Sequence, residues 1–336
     1  MDSLTQIVLG GAVGEAVLGK RVGNKAVLWG AIGGTIPDLD AVLGKFLNTV
    51  SYLDIHRGFS HSIVFAILIA PILGFLIHKI YKNKKETNSW GWTQLMFWSI
   101  FTHPLLDIFT TWGTRLFWPL DWRISLQSIF VIDPLYTIPF LFCLIMVLTL
   151  NKKSKSRRKW NKIGLIYSTS YLFLALIFKG YVNQQFEKQL KENNIEYVDF
   201  NSRPTPLNIV LWTFNIEKED RFDIGYYGLF DSSKTLKLRS FPKNKELLNP
   251  YRNNKQVERL IFLTRGQYII EKAENGIYMH DLRFGMLDSF DEKNKEWAFT
   301  YVIQSTKDGI KITEKEKSFK DSKAAMSNLW KRIWEG

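Results

Sequence analysis

The 336-residue chain has one cysteine, Cys143, so no intrachain disulfide can brace it. That thiol lies in an apolar run and reads as a small buried hydrophobe. Acidic residues are scarce in the first half: residues 1–180 hold 9 Asp and Glu against 19 Lys and Arg, whereas residues 181–336 hold 23 against 26. The formal charge of +13 is therefore concentrated in a charge-poor region, and the average composition describes neither half. There is no internal repeat and no collagen-like period, and a chain that is 46% hydrophobic is not wholly disordered. The first residues, MDSLTQ, carry an acid where a secretory leader needs basic residues, so no cleaved signal peptide is expected.

What the first half does contain is long apolar runs. Residues 62–77 (SIVFAILIAPILGFLI) hold no charged group, and 133–150 and 163–178 read likewise after Asp133. At about 1.5 Å per residue such runs approach the roughly 30 Å of a hydrocarbon core. Residues 92–112 make a fourth candidate, interrupted by His103 and Asp107. Two Gly-rich segments, 4–19 and 26–37, complete the set, and their Gly10–Gly14 and Gly30–Gly34 spacings suit close helix packing in a membrane. The loops 20–25, 79–86 and 151–162 together carry 14 basic residues, while 38–61 and 112–133 carry only Lys45, Arg57, Arg115 and Arg123. Short cytoplasmic loops collect Lys and Arg, so this alternation predicts six membrane elements with both termini extracytoplasmic. Trp112, Trp118 and Trp122 then belong to an outer aromatic belt, and Trp90, Trp92 and Trp160 to an inner one. The basic 151–162 run has no regularly interleaved aromatics, so its expected partner is the anionic lipid of the bilayer and no nucleic acid is expected.

The second half alternates as β-strands do, in 208–214, 222–230, 266–273 and 296–304, with helices expected near 252–261 and at 321–334, the latter capped by Asp321. The expected fold class is mainly α. A polytopic helical membrane bundle of about six membrane elements covers residues 1–180, and a small extracytoplasmic α+β domain with an antiparallel sheet covers residues 181–336.

Ionisable groups in or beside membrane helices are costly, so their positions carry information. In the predicted topology Asp38, Asp40, His56, Arg57, His61, His103, Asp107 and Asp133 all fall toward one side of the membrane. That agreement is independent of the orientation, which Lys and Arg alone set. His103 and Asp107, in THPLLD, are i and i+4 and place an imidazole and a carboxylate a turn apart on one helix face. In HRGFSHS, Ser60 is expected to cap the following helix, with His61 at its mouth and His56 and Arg57 on the approach. In PDLD, Asp38 and Asp40 would share one side of an extended stretch, one binding metal while the other orients a ligand or water. Two carboxylates and two imidazoles balance a divalent ion, zinc or manganese, which lowers the pKa of bound water and polarises a phosphoryl or carbonyl oxygen. Arg57 suits a bidentate grip on phosphate. Elsewhere, Arg115, Arg123 and Asp133 are expected to pair within the outer loop, Glu15 to meet Lys20 or Arg21, and His280 to lie on the surface.

MDSLTQ, PDLD at 37–40, HRGFSHS at 56–62, THPLLD at 102–107 and IDPLYT at 132–137 together resemble the bacterial YdjM-like family of membrane-bound, metal-dependent hydrolases, also described as LexA-binding inner-membrane hydrolases. The resemblance covers about residues 1–180. The order of motifs is also similar to the zinc-dependent phospholipase C and S1/P1 nuclease superfamily. That similarity implies metal ligation by Asp38, His61, His103 and Asp107. The superfamily's early His is Gln6 here and no His follows Asp107 until His280, so the resemblance carries over one metal site rather than three.

The function expected is a multi-pass inner-membrane hydrolase with one divalent metal, zinc or manganese, at the outer face. It would act on an anionic ester, a phospholipid or another phosphoester. Asp38, His61, His103 and Asp107 would hold the metal, Asp40 or His56 would serve as base or proton shuttle, and Arg57 would hold the substrate anion. The alternative is a non-catalytic membrane scaffold or regulator in which the His/Asp cluster only ties helices together.

Overall fold

The computed structural model describes residues 1–44, 46–82, 86–231, 236–287, 290, 296–307, 309–316 and 322–335. They form two compact units: Met1–Leu43, Ile55–Ile177 and Pro206–Asn208 in one, and Gly44–Asp54, Phe178–Thr205 and Ile209–Gly336 in the other.

The first unit is helical. Its elements are α1 (Ser3–Val22), α2 (Asn24–Thr35), a 3-10 turn (Ile36–Leu39) leading into α3 (Asp40–Gly44), and, after α4 (Thr49–Ile55), a second 3-10 turn (Phe59–His61). There follow α5 (Ile63–Tyr81), α6 (Ser89–Asp107), α7 (Pro134–Thr149) and the first part of α8 (Lys155–Glu192). Asp2 caps α1 through Thr5 N, and Ser62, not Ser60, caps α5 by accepting from Phe65 N at 3.0 Å. Asp133 does not pair within the outer loop. It caps α7 through Leu135 N and Tyr136 N and accepts from the Tyr171 hydroxyl at 2.9 Å. Arg115 pairs with Asp121 within that loop at 2.9 Å.

The α1–α2 crossing is set by glycine. A Cβ on Gly14 would lie 2.9 Å from Gly30 Cα and against the Ala26 carbonyl, so the two backbones touch as the paired spacings predict. Around this crossing Leu18, Val22, Ala26, Ala66, Ile77, Trp92, Leu95 and Met96 form the core. Trp92, expected in an interfacial belt, is instead buried at its centre.

Among the described residues, three helical stretches are long and apolar enough to cross a membrane: Asn24–Gly44, Ile63–Tyr81 and Lys155–Glu192; Pro134–Thr149 is a shorter apolar helix. The expectation of six spans is corrected on this point. α1 and α6 fall outside the set because polar residues, Gln6 and Glu15 on one and Ser99, His103 and Asp107 on the other, lower their hydropathy; the structure buries these side chains within the helical unit. By contrast only 22% of the apolar window of α5 is buried. Ile67, Leu68, Ile72, Phe75 and Ile80 on that helix face outward, an apolar skin that suits lipid.

One buried ion pair crosses the unit. Arg157 donates from Nε and Nη2 to Glu15 at 2.7 and 2.5 Å, and from Nη1 to Asn24 Oδ1 and the carbonyls of Val147 and Leu150. Glu15 therefore meets neither Lys20 nor Arg21: Arg157, at the start of α8, reaches it with a planar fork those exposed neighbours do not supply.

The second unit holds two four-stranded antiparallel sheets. β1 (Asp199–Pro204), β2 (Leu211–Glu217), β3 (Arg221–Gly228) and β4 (Arg239–Pro242) pair in sequence order, as do β5 (Tyr268–Ala273), β6 (Gly276–Asp281), β7 (Thr300–Thr306) and β8 (Gly309–Glu314). Phe222, Ile224, Phe241, Ile269, Leu282, Met286 and Trp297 form a core here. α9 (Lys255–Leu263) is capped by Asn254, and α10 (Ser322–Glu335) begins after Asp321, which lies outside the described residues. His280 is buried rather than on the surface, its Nδ1 2.9 Å from Thr300 Oγ1. On the central strand β6 its side chain turns toward the sheet's packed face, beside Trp297.

Two outcomes are expected from this packing. Gly14→Leu should lower the stability of the purified protein in detergent by at least about 2 kcal/mol, since no rotamer relieves a backbone contact; an unchanged denaturation midpoint would contradict the crossing. Arg157→Met should cost about 3–5 kcal/mol by stranding a buried carboxylate, and adding Glu15→Gln should restore most of it.

Candidate metal centre

The site begins with two short turns and one helix end. Pro37 opens the first 3-10 turn and makes PDLD helical rather than extended. Asp38 and Asp40 therefore do not share a side: Asp38 faces the cluster and Asp40 stands behind it. His61 ends the second 3-10 turn, and His103 and Asp107 occupy the last turn of α6.

One donor atom from each of Asp38, His61, His103 and Asp107 lies within 4.8 Å of the other three. The two Nε2 atoms are 3.1 Å apart. His61 Nε2 lies 3.4 Å from Asp38 Oδ1 and 3.5 Å from Asp107 Oδ2, and His103 Nε2 lies 3.4 and 3.6 Å from the same two oxygens. An N–H···O bond brings its heavy atoms to about 2.7–3.2 Å, closer than any of these four. A tetrahedral ion bound at about 2.0–2.2 Å has edges of about 3.3–3.6 Å, which these four distances match.

The outer hydrogen bonds agree. His103 Nδ1 is 2.5 Å from the carbonyl of Gly34, which only accepts, so Nδ1 carries a proton and Nε2 is the atom turned into the cluster. Ser60 Oγ donates to Asp40 Oδ2 at 3.0 Å and so receives from His61 Nδ1 at 2.9 Å, which turns His61 Nε2 toward the cluster as well. Asp107 Oδ2 is buried and makes no hydrogen bond, with the Arg57 Nε 3.1 Å away as its counter-charge. Two imidazole nitrogens and two carboxylate oxygens thus converge, and the 3.1 Å between the two Nε2 atoms is shorter than the four N···O spacings. A divalent cation is the group this donor set fits.

Around the cluster, Asp107 Oδ1 accepts from Gln6 Nε2 at 3.0 Å and meets the amino group of Met1. Arg57 is buried, its Nε 3.1 Å from Asp107 Oδ2 and its Nη1 donating to Thr110 Oγ1 at 2.9 Å. The guanidinium is turned onto a ligand rather than out toward a substrate anion. Arg57 also adopts φ +55°, a left-handed conformation costing about 1–2 kcal/mol in a non-glycine residue. Its backbone is held there by Asp40 Oδ2 at 2.8 Å and by Arg115 N at 3.0 Å.

Asp40 is buried, and its other oxygen faces His56 Nδ1 at 3.1 Å. His56 is 19% exposed and lies beside the ring of Trp112. Burial draws its pKa below the ordinary imidazole value, against the hydrogen bond and charge of Asp40, so the ring is neutral at pH 7 and able to accept a proton. Of the predicted residues, the structure brings Asp38, His61, His103 and Asp107 into one cluster and sets Asp40, His56 and Arg57 around it. The Gly34 carbonyl, Ser60 and Thr110 complete the surroundings without having been singled out for these roles. Ser60 lay inside a marked motif, whereas a backbone carbonyl leaves no trace in sequence.

The comparisons place this geometry in a family. The uncharacterized protein YfhP of Bacillus subtilis strain 168 is 32% identical over 142 residues, covering 40% of this chain and 42% of that protein. The inner membrane protein YbcI of Escherichia coli strain K12 is 29% identical over 110 residues, covering 33% of this chain and 61% of that protein. The chain thus matches less than two thirds of either relative's length. No solved structure matches it. Residues 1–184, more than half of the sequence, match the model of the family described as YdjM inner membrane protein, and the chain belongs to that inner-membrane family.

Proposed function

We propose that this protein is a membrane hydrolase dependent on one divalent metal, zinc in first place and manganese in second, acting on an anionic phosphoester. The observation that carries the reading is the donor set, two inward imidazole nitrogens and two carboxylate oxygens whose four N···O spacings match a tetrahedral edge. Asp38, His61, His103 and Asp107 would hold the ion, and a bound ion would supply an acidified water and a polarised phosphoryl oxygen. Asp38 is the exposed side of the cluster, at 27%, and gives water and substrate their approach. Asp40 has both oxygens engaged, so it acts as the group that orients His56 and, through Ser60, His61. His56 takes the role of general base, holding the proton released from the attacking water. Arg57 steadies Asp107.

The charge pattern supports an outer-face site with both termini extracytoplasmic, because the described basic residues of 20–25, 79–86 and 151–162 lie at the helix ends away from the cluster. A site at the bilayer edge favours amphiphilic esters such as phospholipids. A second reading, a structural metal tie in a scaffold protein, is favoured by closure, since four protein ligands are the usual complement of a structural zinc site.

Purified protein should carry about one equivalent of zinc, and His103→Ala or Asp107→Ala should each remove it, as read by elemental analysis. Stoichiometric metal in the double variant would sink the assignment. His56→Ala should keep the metal while lowering hydrolysis in a phosphodiester, phosphomonoester and phospholipid panel by about 10²–10⁴-fold. Full metal occupancy with no hydrolysis of any ester, and a midpoint that falls on chelation, would leave the structural tie in its place.

A further inference from the structure

At the other end of the helical unit a groove of about 840 Å³ lies between α1 and α8, within the usual size of a small-molecule site. Its walls change character along their length. Lys20 and Arg21, from the last turn of α1, meet Arg158 and Lys162, from the first turns of α8, at one end. All four are exposed. Val17, Leu18, Leu165, Ile166 and Phe173 line most of the remainder, with the small polar Thr169 and Ser170 among them. Glu15 is the one acid among the lining residues, and its carboxylate is already neutralised by Arg157.

Asn161 adds a second, independent observation. It is 6% exposed, its Nδ2 donates to the Ala12 carbonyl at 3.0 Å, and its Oδ1 is buried with no hydrogen-bond partner. That oxygen is an acceptor at the edge of a cationic groove, so it calls for a ligand that is anionic and yet offers a donor. On α8, Arg158 to Phe173 spans about 22 Å, enough for a headgroup beside the basic turns and an acyl chain through a leaflet of about 15 Å.

We propose that this groove binds an anionic glycerophospholipid with a hydroxyl-bearing headgroup, of the phosphatidylglycerol type. The phosphate lies among Lys20, Arg21, Arg158 and Lys162, a headgroup hydroxyl donates to Asn161 Oδ1, and one acyl chain follows Leu165, Ile166 and Phe173. A basic recess between helices on the positively charged side is the arrangement that selects anionic lipid over zwitterionic lipid. The site stands apart from the metal centre and does not rest on the hydrolase reading.

The test is native mass spectrometry of the full chain in detergent, titrated with phosphatidylglycerol, phosphatidic acid, phosphatidylcholine or glycerol 3-phosphate. One phosphatidylglycerol should be retained at least tenfold more tightly than phosphatidylcholine. Arg158→Ala with Lys162→Ala, both exposed, should weaken it about twentyfold with metal content unchanged. Asn161→Leu should abolish the preference for phosphatidylglycerol over phosphatidic acid, which lacks the hydroxyl. A Phe173→Trp variant should be quenched by phosphatidylglycerol brominated on its acyl chains, and this reads the apolar end even if Asn161→Leu does not fold. Equal retention of phosphatidylcholine, an unaffected double-alanine variant, glycerol 3-phosphate bound as tightly as the lipid, or absent quenching would each overturn the proposal.

Discussion

Four electron-rich atoms brought within 4.8 Å of one another inside an apolar helical unit are a strong electrostatic constraint, and much of that unit is arranged around meeting it. Burying a carboxylate without a counter-charge costs several kcal/mol, and Asp107 is wholly buried. The compensations are specific. Arg57 accepts an unfavourable backbone conformation to bring its guanidinium against Asp107, Gln6 reaches across from α1, and Asp40 fixes His56, Ser60 and the Arg57 amide together. The close α1–α2 crossing also belongs to this scheme, because the Gly34 carbonyl at its end sets the tautomer of His103. A cluster held only by hydrogen bonds would draw its nitrogens and oxygens closer than 3.4 Å; these stay at the spacing of a coordination shell.

How much of this could be read beforehand follows from where physical cost is visible in sequence. His and Asp in an apolar region are expensive, so their positions alone drew attention to the four clustered residues. α5 was legible because an uncharged run of its length has few other uses. Of α8 only the run 163–178 was, since the helix continues on both sides into charged residues, from Lys155 and to Glu192, that read as a loop and as the start of the second domain. α1 and α6 misled, since Gln6, Glu15, His103 and Asp107 interrupt runs otherwise apolar enough to read as membrane elements. PDLD misled for a local reason, Pro37 favouring a helical turn where alternation suggested an extended one. In HRGFSHS the capping role moved two residues along, from Ser60 to Ser62, because the Ser60 hydroxyl is spent on Asp40. The edge strands β1 and β4, with sequences DFNSRP and RSFP, are largely polar as edges tend to be, and they leave little alternation to read.

The uneven charge of the chain has a common explanation with the site. Among the described residues, Lys20, Arg21, Lys25 and the basic first turns of α8 lie at one end of the helices, with Glu15 and Glu86 paired among them, while Asp38, His61, His103 and Asp107 gather at the other. Within the second unit the balance of signs is nearly even, and its buried charges behave differently. Arg283 is paired with Asp281 at 2.6 Å, and Arg203, pushed by burial to a pKa of about 10, lies nearby in the same electrostatic field. The first unit gathers buried charge into one cluster of His and Asp beside Arg57 and into the Glu15–Arg157 pair. The second uses it to satisfy the interior of two sheets.

X-ray absorption at the zinc edge of the purified, zinc-loaded protein tests the coordination most directly. A shell that contains two imidazole nitrogens and two carboxylate oxygens at about 2.0–2.2 Å is expected, with a fifth, water oxygen in the hydrolase. A shell without imidazole scattering, or one unchanged when His61 and His103 are both replaced, would contradict it.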